Sequence, residues 1–319
     1  MRFSILIPVH RDTPVFRRCL AACLMLEHDD FEVLAVSDRP LERPLPGDPR
    51  VRAVVTGAPA DTSPAEKRDA ALDHATGDAI AYLDDDAEPA PDWLAVAERA
   101  FADPAVNAIG GPGVTPPGQG WRERTGGAVY ESPLGSGPLR YRFAPAGPRV
   151  VDDYPAYNLI VRTDAVRRAG GWASTFYGGE DTRFCEALAA RGDRVHYLPD
   201  LVVHHHRRPV FRAHMRQIGN VGRHRGHFVR AYPATSRRPM YFAPMVAALA
   251  GPLAALWALW RLPRALRLPA AIAGYGALAR MAPGSDPRVR AAFPAALAAH
   301  HLAYGLSFLR GLFTREMDR

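Results

Sequence analysis

Three consecutive carboxylates, Asp84-Asp85-Asp86, follow the apolar run Ala79-Ile80-Ala81-Tyr82-Leu83 and precede the turn Glu88-Pro89-Ala90-Pro91. A short apolar run bounded by turn residues reads as a buried strand. Like charges at its end repel one another unless a cation relieves them. In an extended chain the side-chain period is two, so Asp84 and Asp86 share a face. They make a two-oxygen grip suited to Mg²⁺ or Mn²⁺, ions that keep some water and bind substrate phosphates. A solvated acidic turn or a helix N-cap is the plain alternative for the same residues.

Two further groups carry chemistry. Glu180-Asp181 follow Gly178-Gly179 at the start of a predicted helix, where the helix dipole keeps a carboxylate ionised and able to accept a proton. Acids are also ordinary in first turns. His204-His205-His206 end a predicted strand, and the same alternation puts His204 and His206 on one face as candidate nitrogen ligands. The spacings HExxH and CxxC of zinc hydrolases are absent. Arg207, Arg208, Arg212, Arg216, Gln217, Arg223 and Arg225 form a cationic stretch whose forks match phosphate oxygens. No helix-turn-helix, zinc-finger or RNP pattern accompanies it, so no specific nucleic-acid partner is expected. Neither GxxxxGK[ST] nor a GxGxxG after the first strand is present, so a bound diphosphate would be held by metal and arginine.

The elements that must position these groups alternate strand and helix over the first 110 residues. Phe3–Val9, Phe31–Val36, Val51–Thr56 and Ala79–Leu83 read as strands. Helices start at Asp12-Thr13-Pro14, at the capping box Ser63-Pro64-Ala65-Glu66, and at Pro91. Repeated β-α-β units imply a parallel sheet, with ligands beyond the carboxyl ends of its strands. Asp38 and Asp84–Asp86 both stand at such ends. Residues 111–153 are Gly- and Pro-rich and read as a long loop or small excursion, of a length that is usually functional or mobile.

Charge divides the chain. Residues 1–200 carry 22 basic and 30 acidic side chains, whereas 201–319 carry 18 arginines and three acids. The net +7 therefore hides a strongly cationic C-terminal part, which points to an anionic partner. Met240–Trp260 is 21 residues without a charge, near bilayer-crossing length, with Trp257, Trp260, Arg261, Arg264 and Arg267 at its end. Ala291–Leu309 is a second apolar run, interrupted by His300-His301. Membrane association through 240–310 is the expectation, and a soluble Ala-rich helical cap its alternative. Three cysteines (Cys19, Cys23, Cys185) and no secretory signal lead us to expect a reducing, cytoplasmic setting.

The order of these parts resembles the family 2 glycosyltransferases, which have the GT-A fold. The resemblance spans residues 3–227 and rests on Ser4-Ile5-Leu6-Ile7-Pro8-Val9, Asp38, Lys67-Arg68-Asp69-Ala70-Ala71, Leu83-Asp84-Asp85-Asp86, Gly170-Gly171-Trp172, Gly179-Glu180-Asp181, Tyr197-Leu198-Pro199-Asp200 and His204. It implies an α/β fold with a mostly parallel, Rossmann-like central sheet and flanking helices. It implies a GT-A catalytic domain over 1–230, nucleotide-binding over 1–110 and acceptor- and metal-binding over 111–230, with a helical membrane-associated region over 231–319. Pro8, Val9, Asp38, Arg68, Asp84 and Asp85 would serve the nucleotide-sugar donor, expected to be a UDP-sugar. Asp38 would meet the base or ribose, and Asp85 would point away from the metal. Gln217 and Arg223 resemble a loosened Gln-x-x-Arg-Trp element of the donor site. Asp86 would hold Mn²⁺ or Mg²⁺, with His204 or His206 completing the shell. Asp181, beside Glu180, would be the base of an inverting displacement.

The basic, apolar C-terminal part resembles membrane-associated exopolysaccharide transferases of the succinoglycan type. The implied acceptor is a lipid-linked or surface glycan at the cytoplasmic face of the cell membrane. A polyprenyl-phosphate hexosyltransferase is the alternative within the enzymes. A membrane-bound nucleotide or glycan binder with a decayed transferase fold is the alternative outside them.

Overall fold

The computed structural model describes residues 1–59, 61–176, 178–315 and 317. They form two compact units, one of residues 1–114 and 144–205 and one of residues 115–143 and 206–317. The boundary differs from a division at 230, because the basic helix of residues 212–231 packs with the C-terminal helices.

The first unit is built on β1 (Phe3–Pro8), α1 (Pro14–Leu24), β2 (Phe31–Ser37), β3 (Val51–Val55), α2 (Pro64–Leu72), β4 (Ala79–Leu83), β5 (Ala87–Pro89), α3 (Trp93–Phe101), β6 (Ala108–Gly110) and β7 (Gly113–Val114). After an excursion into the second unit it resumes with β8 (Arg149–Val151), β9 (Asn158–Arg162), α6 (Thr163–Ala169), α7 (Glu180–Ala189), β10 (Val195–Tyr197) and β11 (Val203–His205). The excursion itself holds α4 (Trp121–Glu131) and α5 (Pro133–Ser136). Regular helix in that Gly- and Pro-rich stretch was not legible from its weak periodicity.

Local sequence explains the first helices. Thr13 caps α1 by accepting from the Phe16 N–H, with Pro14 already in the helical φ range. Phe16, Cys19, Leu20 and Cys23 then bury one face against the sheet. In α2 the expected capping box is present, Ser63 and Glu66 each satisfying the other's backbone N–H. All three cysteines are buried as small core residues and form no disulfide among the described residues.

Eight strands form the main sheet in the order β3-β2-β1-β4-β9-β6-β10-β8. The expected parallel half is present, since β1 pairs in parallel with both β2 and β4 and β2 with β3. The whole sheet is mixed, however, which corrects the mostly parallel expectation. β9 enters between β4 and β6 and runs antiparallel to both. Asn158, at the start of β9, explains how this insertion is held. Its amide donates to Gly111 O at 2.7 Å and Leu201 O at 2.6 Å and accepts from Trp93 Nε1 at 2.9 Å. A buried amide with all three bonds made fixes three separate segments at once.

The second unit continues with α8 (Arg212–Ala231), α9 (Pro233–Ser236), α10 (Pro239–Arg261), α11 (Arg264–Arg280) and α12 (Pro287–Phe313). α8 is basic overall, yet Gly222 and Gly226 open one face of it to α12. A Cβ at Gly226 would meet Phe308 O at 2.1 Å, so only glycine allows this approach. The second apolar run of the sequence, within α12, turns one face into a core. Phe293, Ala296, Leu297, His300, Tyr304 and Phe308 are all buried there.

Candidate active site

The acidic triplet does not continue β4 as an extended chain. Ala87 N–H donates to Asp84 O at 3.1 Å, closing a turn across the three carboxylates before β5 begins. Asp84 and Asp86 still converge, but through the turn and not through strand alternation. Asp84 Oδ, Asp86 Oδ and a His205 ring nitrogen all lie within 4.8 Å of one another. His205 Nε2 is 3.0 Å from Asp86 Oδ1. Asp85 is half-buried and is not one of the three converging residues.

The histidine is a correction. His204 and His206 were the expected ligands, and the structure brings His205 to the carboxylates instead. β11 pairs antiparallel with β5 in the register His205↔Ala87 and His204↔Glu88. His205 therefore shares a face with Ala87, next to the turn, while His204 shares the opposite face with Glu88. Tyr157 packs on the His205 ring at 4.6 Å between centroids and fixes its plane. His206 lies beyond the end of β11, in the second unit. The period of two was read correctly from the sequence. Which of the two faces meets the triplet depended on strand register.

Two carboxylate oxygens and an imidazole nitrogen suit Mn²⁺ and are compatible with Mg²⁺. The Nδ1 of His205 is buried and has no hydrogen-bond partner among the described residues. Three protein ligands leave room for water and phosphate oxygens, so the donor set fits a divalent ion shared with a diphosphate.

Arg68 lies beneath the triplet with 2% of its side chain exposed. One arm donates to Asp84 Oδ1 at 2.8 Å and the other reaches Glu180 Oε1 at 3.4 Å. Its guanidinium stacks over Trp172 at 4.5 Å. Burial pushes the Asp84 carboxyl above the usual carboxylate range; Arg68 opposes this, and the Asp86 charge adds to it. Arg68 thus supports the site from inside and is not presented to solvent, as a residue reaching for a nucleotide would be. Asp69 holds the segment carrying Trp172, accepting from Trp172 N–H at 2.7 Å and Ala173 N–H at 2.9 Å.

α7 begins at Glu180 after Gly179 in the left-handed conformation at φ 80°. Glu180 is buried, with Oε2 accepting from Gly178 N–H at 2.8 Å and Oε1 facing Arg68. A carboxylate engaged at both oxygens is a poor proton acceptor. Asp181 is only half-buried, accepts from Thr182 N–H at 2.8 Å through Oδ1, and sits in the first turn. Of the two it is the better placed base.

Asp38 ends β2 as expected, but its carboxylate is fully engaged within the chain. It accepts from Thr56 Oγ1 at 2.9 Å, Thr62 N–H at 3.0 Å, Thr62 Oγ1 at 2.6 Å and Lys67 Nζ at 2.6 Å. Burial alone would raise its pKa; these donors outweigh burial and hold it at about 2. With about four acceptor sites on a carboxylate, little capacity is left for a ribose or base. Asp38 and Lys67, the chain's single lysine, hold Thr56 and Thr62 at the strand ends. Pro8 closes β1 and Val9 N–H donates to Val36 O at 2.7 Å, so both stand at the carboxyl edge of the sheet. Gln217 and Arg223 stand on α8 in the helical unit.

Comparisons with known proteins agree with this geometry. The model for "Glycosyl transferase family 2" matches residues 4–168. Pre-mycofactocin glycosyltransferases of two Mycobacterium tuberculosis strains are 34% identical over 151 residues, 47% of this chain and 31% of theirs. The match thus spans about a third of the length of those relatives. Among solved structures, the mannosyltransferase PcManGT of Pyrobaculum calidifontis, in complex with GDP-Man and Mn²⁺, aligns with a TM-score of 0.55 at 22% identity, over 99% of this chain and 88% of that one. S. aureus TarS 1-349 in complex with UDP-GlcNAc aligns with a TM-score of 0.50 at 15% identity, over 99% and 93%. At these identities the structural likeness speaks to the fold, which is GT-A-like. The family match covers Asp38, Arg68 and the acidic triplet, and by it the chain belongs to glycosyl transferase family 2.

Proposed function

We propose that this chain transfers a sugar, with inversion, from a nucleotide-sugar donor to a hydroxyl of a lipid-linked or surface glycan. The observation that carries the reading is the convergence of Asp84, Asp86 and His205 on one point beside the buried Arg68–Glu180 pair. These three residues would hold Mn²⁺ or Mg²⁺, which when bound neutralises charge on the donor diphosphate.

The chain's own residues supply the rest. Asp181 accepts the proton of the acceptor hydroxyl, whose oxygen forms the new bond to the anomeric carbon as the bond to the diphosphate breaks. The electron pair of that bond leaves with the nucleoside diphosphate. Arg68 keeps Asp84 aimed into the site while Glu180 balances its charge. Asp38 and Lys67 shape the loop beside the nucleotide.

Donors of both nucleotide types found with the structural neighbours, UDP and GDP, belong in the test. The resemblance to succinoglycan-type transferases and the cationic C-terminal part support an acceptor at the cytoplasmic face of a membrane. The decisive measurement is nucleoside diphosphate release from a panel of UDP- and GDP-sugars with Mn²⁺ or Mg²⁺ and membrane lipids. Asp181→Asn should lower turnover by about 10²–10⁴ with donor binding retained. Full turnover in that variant would remove Asp181 from its role. Donor binding without turnover across all acceptors would favour a non-catalytic binder.

A further inference from the structure

α10 and α11 form a hairpin whose outer apolar side chains are largely exposed. Leu253, Leu256, Trp257, Trp260, Leu268 and Ile272 each keep 63–69% of their surface exposed. α11 buries no residue, and the most apolar window of α10, of mean hydropathy 1.8, is 6% buried. A helix apolar all round requires an apolar surrounding.

By length alone α10 would cross a bilayer, since 23 residues extend about 34 Å. Its first half, however, is already committed to α12. Tyr241 and Ala248 are buried, and Phe242 meets Phe308 at 5.0 Å between ring centroids. Gly305 approaches so closely that a Cβ there would meet Ala248 Cβ at 2.8 Å. The uncharged remainder, Leu249–Trp260, extends only about 18 Å, well short of a hydrocarbon core of about 30 Å. α11 is tied back in turn, with Tyr275 Oη donating to Ala291 O of α12 at 2.7 Å. Both arms of the hairpin therefore return to one helix.

The corner of the hairpin is cationic. Arg261 lies 5.8 Å from the Trp257 ring, and Arg267 donates to Trp260 O at 2.9 Å and Leu262 O at 3.2 Å, capping α10. With Arg264 they place three guanidinium groups where the arms meet. Arginine is among the residues least tolerated at a bilayer centre, whereas Trp beside Arg is the composition of the headgroup boundary. A second copy of the chain on this face would set its arginines against these, so an anionic lipid surface is the complementary occupant.

We propose that residues 249–272 lie in the plane of an anionic membrane as a re-entrant anchor, with Trp257, Trp260 and the leucines in the headgroup boundary and no segment crossing the bilayer. This rests on the membrane part of the functional reading and not on the transfer chemistry, so it is tested without turnover. The full chain should co-sediment with POPC/POPG vesicles about tenfold more than with POPC vesicles, and less as salt rises. The Trp257→Ser/Trp260→Ser double variant should lower that partition about tenfold with an unchanged circular dichroism spectrum. In sealed membrane vesicles from cells producing the chain, Arg264→Cys and Arg216→Cys should react with an impermeant maleimide from the same side; the native cysteines are buried. Reaction from opposite sides would show that α10 crosses and would overturn the proposal. Equal sedimentation with both vesicle types, or lipid-independent dimers through these helices, would overturn it as well.

Discussion

Arg68 and Asp84 are held 2.8 Å apart with the arginine side chain almost wholly inside the protein. Through its second arm the same guanidinium reaches Glu180, so the acidic turn and the first turn of α7 share one buried cation. Removing one partner of such a network leaves uncompensated charge in the interior. Arg68→Met should therefore destabilise the fold by about 3–5 kcal/mol, as read by denaturant unfolding. Arg68→Lys keeps the charge but loses the fork, and should retain most of the stability while weakening metal-dependent activity. Equal stability of the methionine variant and the parent would show that the bridge contributes nothing.

The three adjacent histidines separate by face. His205→Ala should raise the Mn²⁺ or Mg²⁺ concentration needed for half-maximal activity roughly 10–100-fold. His204→Ala, on the face paired with Glu88, should leave it within about twofold, since it supplies no ligand. A metal titration of both variants decides the assignment. The reverse pattern would restore His204.

Asp38 links stability to acid. Its pKa of about 2 in the fold lies below the ordinary carboxylate value of 3.8. The folded state thus favours the charged form, and the contribution is complete above about pH 4 and lost as pH falls through about 2. A shift of that size corresponds to about 2 kcal/mol. Glu32 behaves alike. Burial pushes it up, yet Thr76, Arg52 and Ser4 hold it at about 2. Asp38→Asn should flatten the acid limb of a stability-pH curve measured by urea unfolding and lower kcat/KM through the 56–63 loop.

His214 and His300 titrate in the opposite sense. His214 Nε2 lies 3.0 Å from His300 Nδ1 within the helical unit. Burial lowers both pKa values, that of His214 to about 4, and the charge of Arg207 adds to the effect there. The unfolded chain therefore takes up protons first. Stability present above about pH 6.5 should fall as pH drops from there to about 4, by up to roughly 1.4 kcal/mol per pH unit for each histidine. His300→Gln should reduce that slope. An unchanged slope would mean that the pair titrates normally.

Much of the first unit was legible in the residues themselves. The apolar runs of β1, β2 and β4, the cap at Thr13 and the capping box at Ser63 are local signals, fixed by side chains a few positions apart. The carboxylates Asp84, Asp86 and Asp181 stood in the sequence for the same reason, and the family was legible with them. The C-terminal arginines and the bare apolar stretch of α10 were equally plain. What the sequence determined by itself was therefore composition, local structure and the kinds of group available for catalysis.

Only the tertiary structure decided which of those groups meet. The β5–β11 register selected His205 over its neighbours, because a shift of one residue exchanges the two faces of a strand. The Asn158 bridges inserted β9 antiparallel into a sheet whose first half is parallel. Four donors from three separate positions turned Asp38 inward. The glycine seam of α8 drew one face of α12 into a core. That seam, and the return of both hairpin arms to α12, separate the buried helix from the bare one. Pairings between residues far apart in the chain obey no local periodicity, and they made each of these choices.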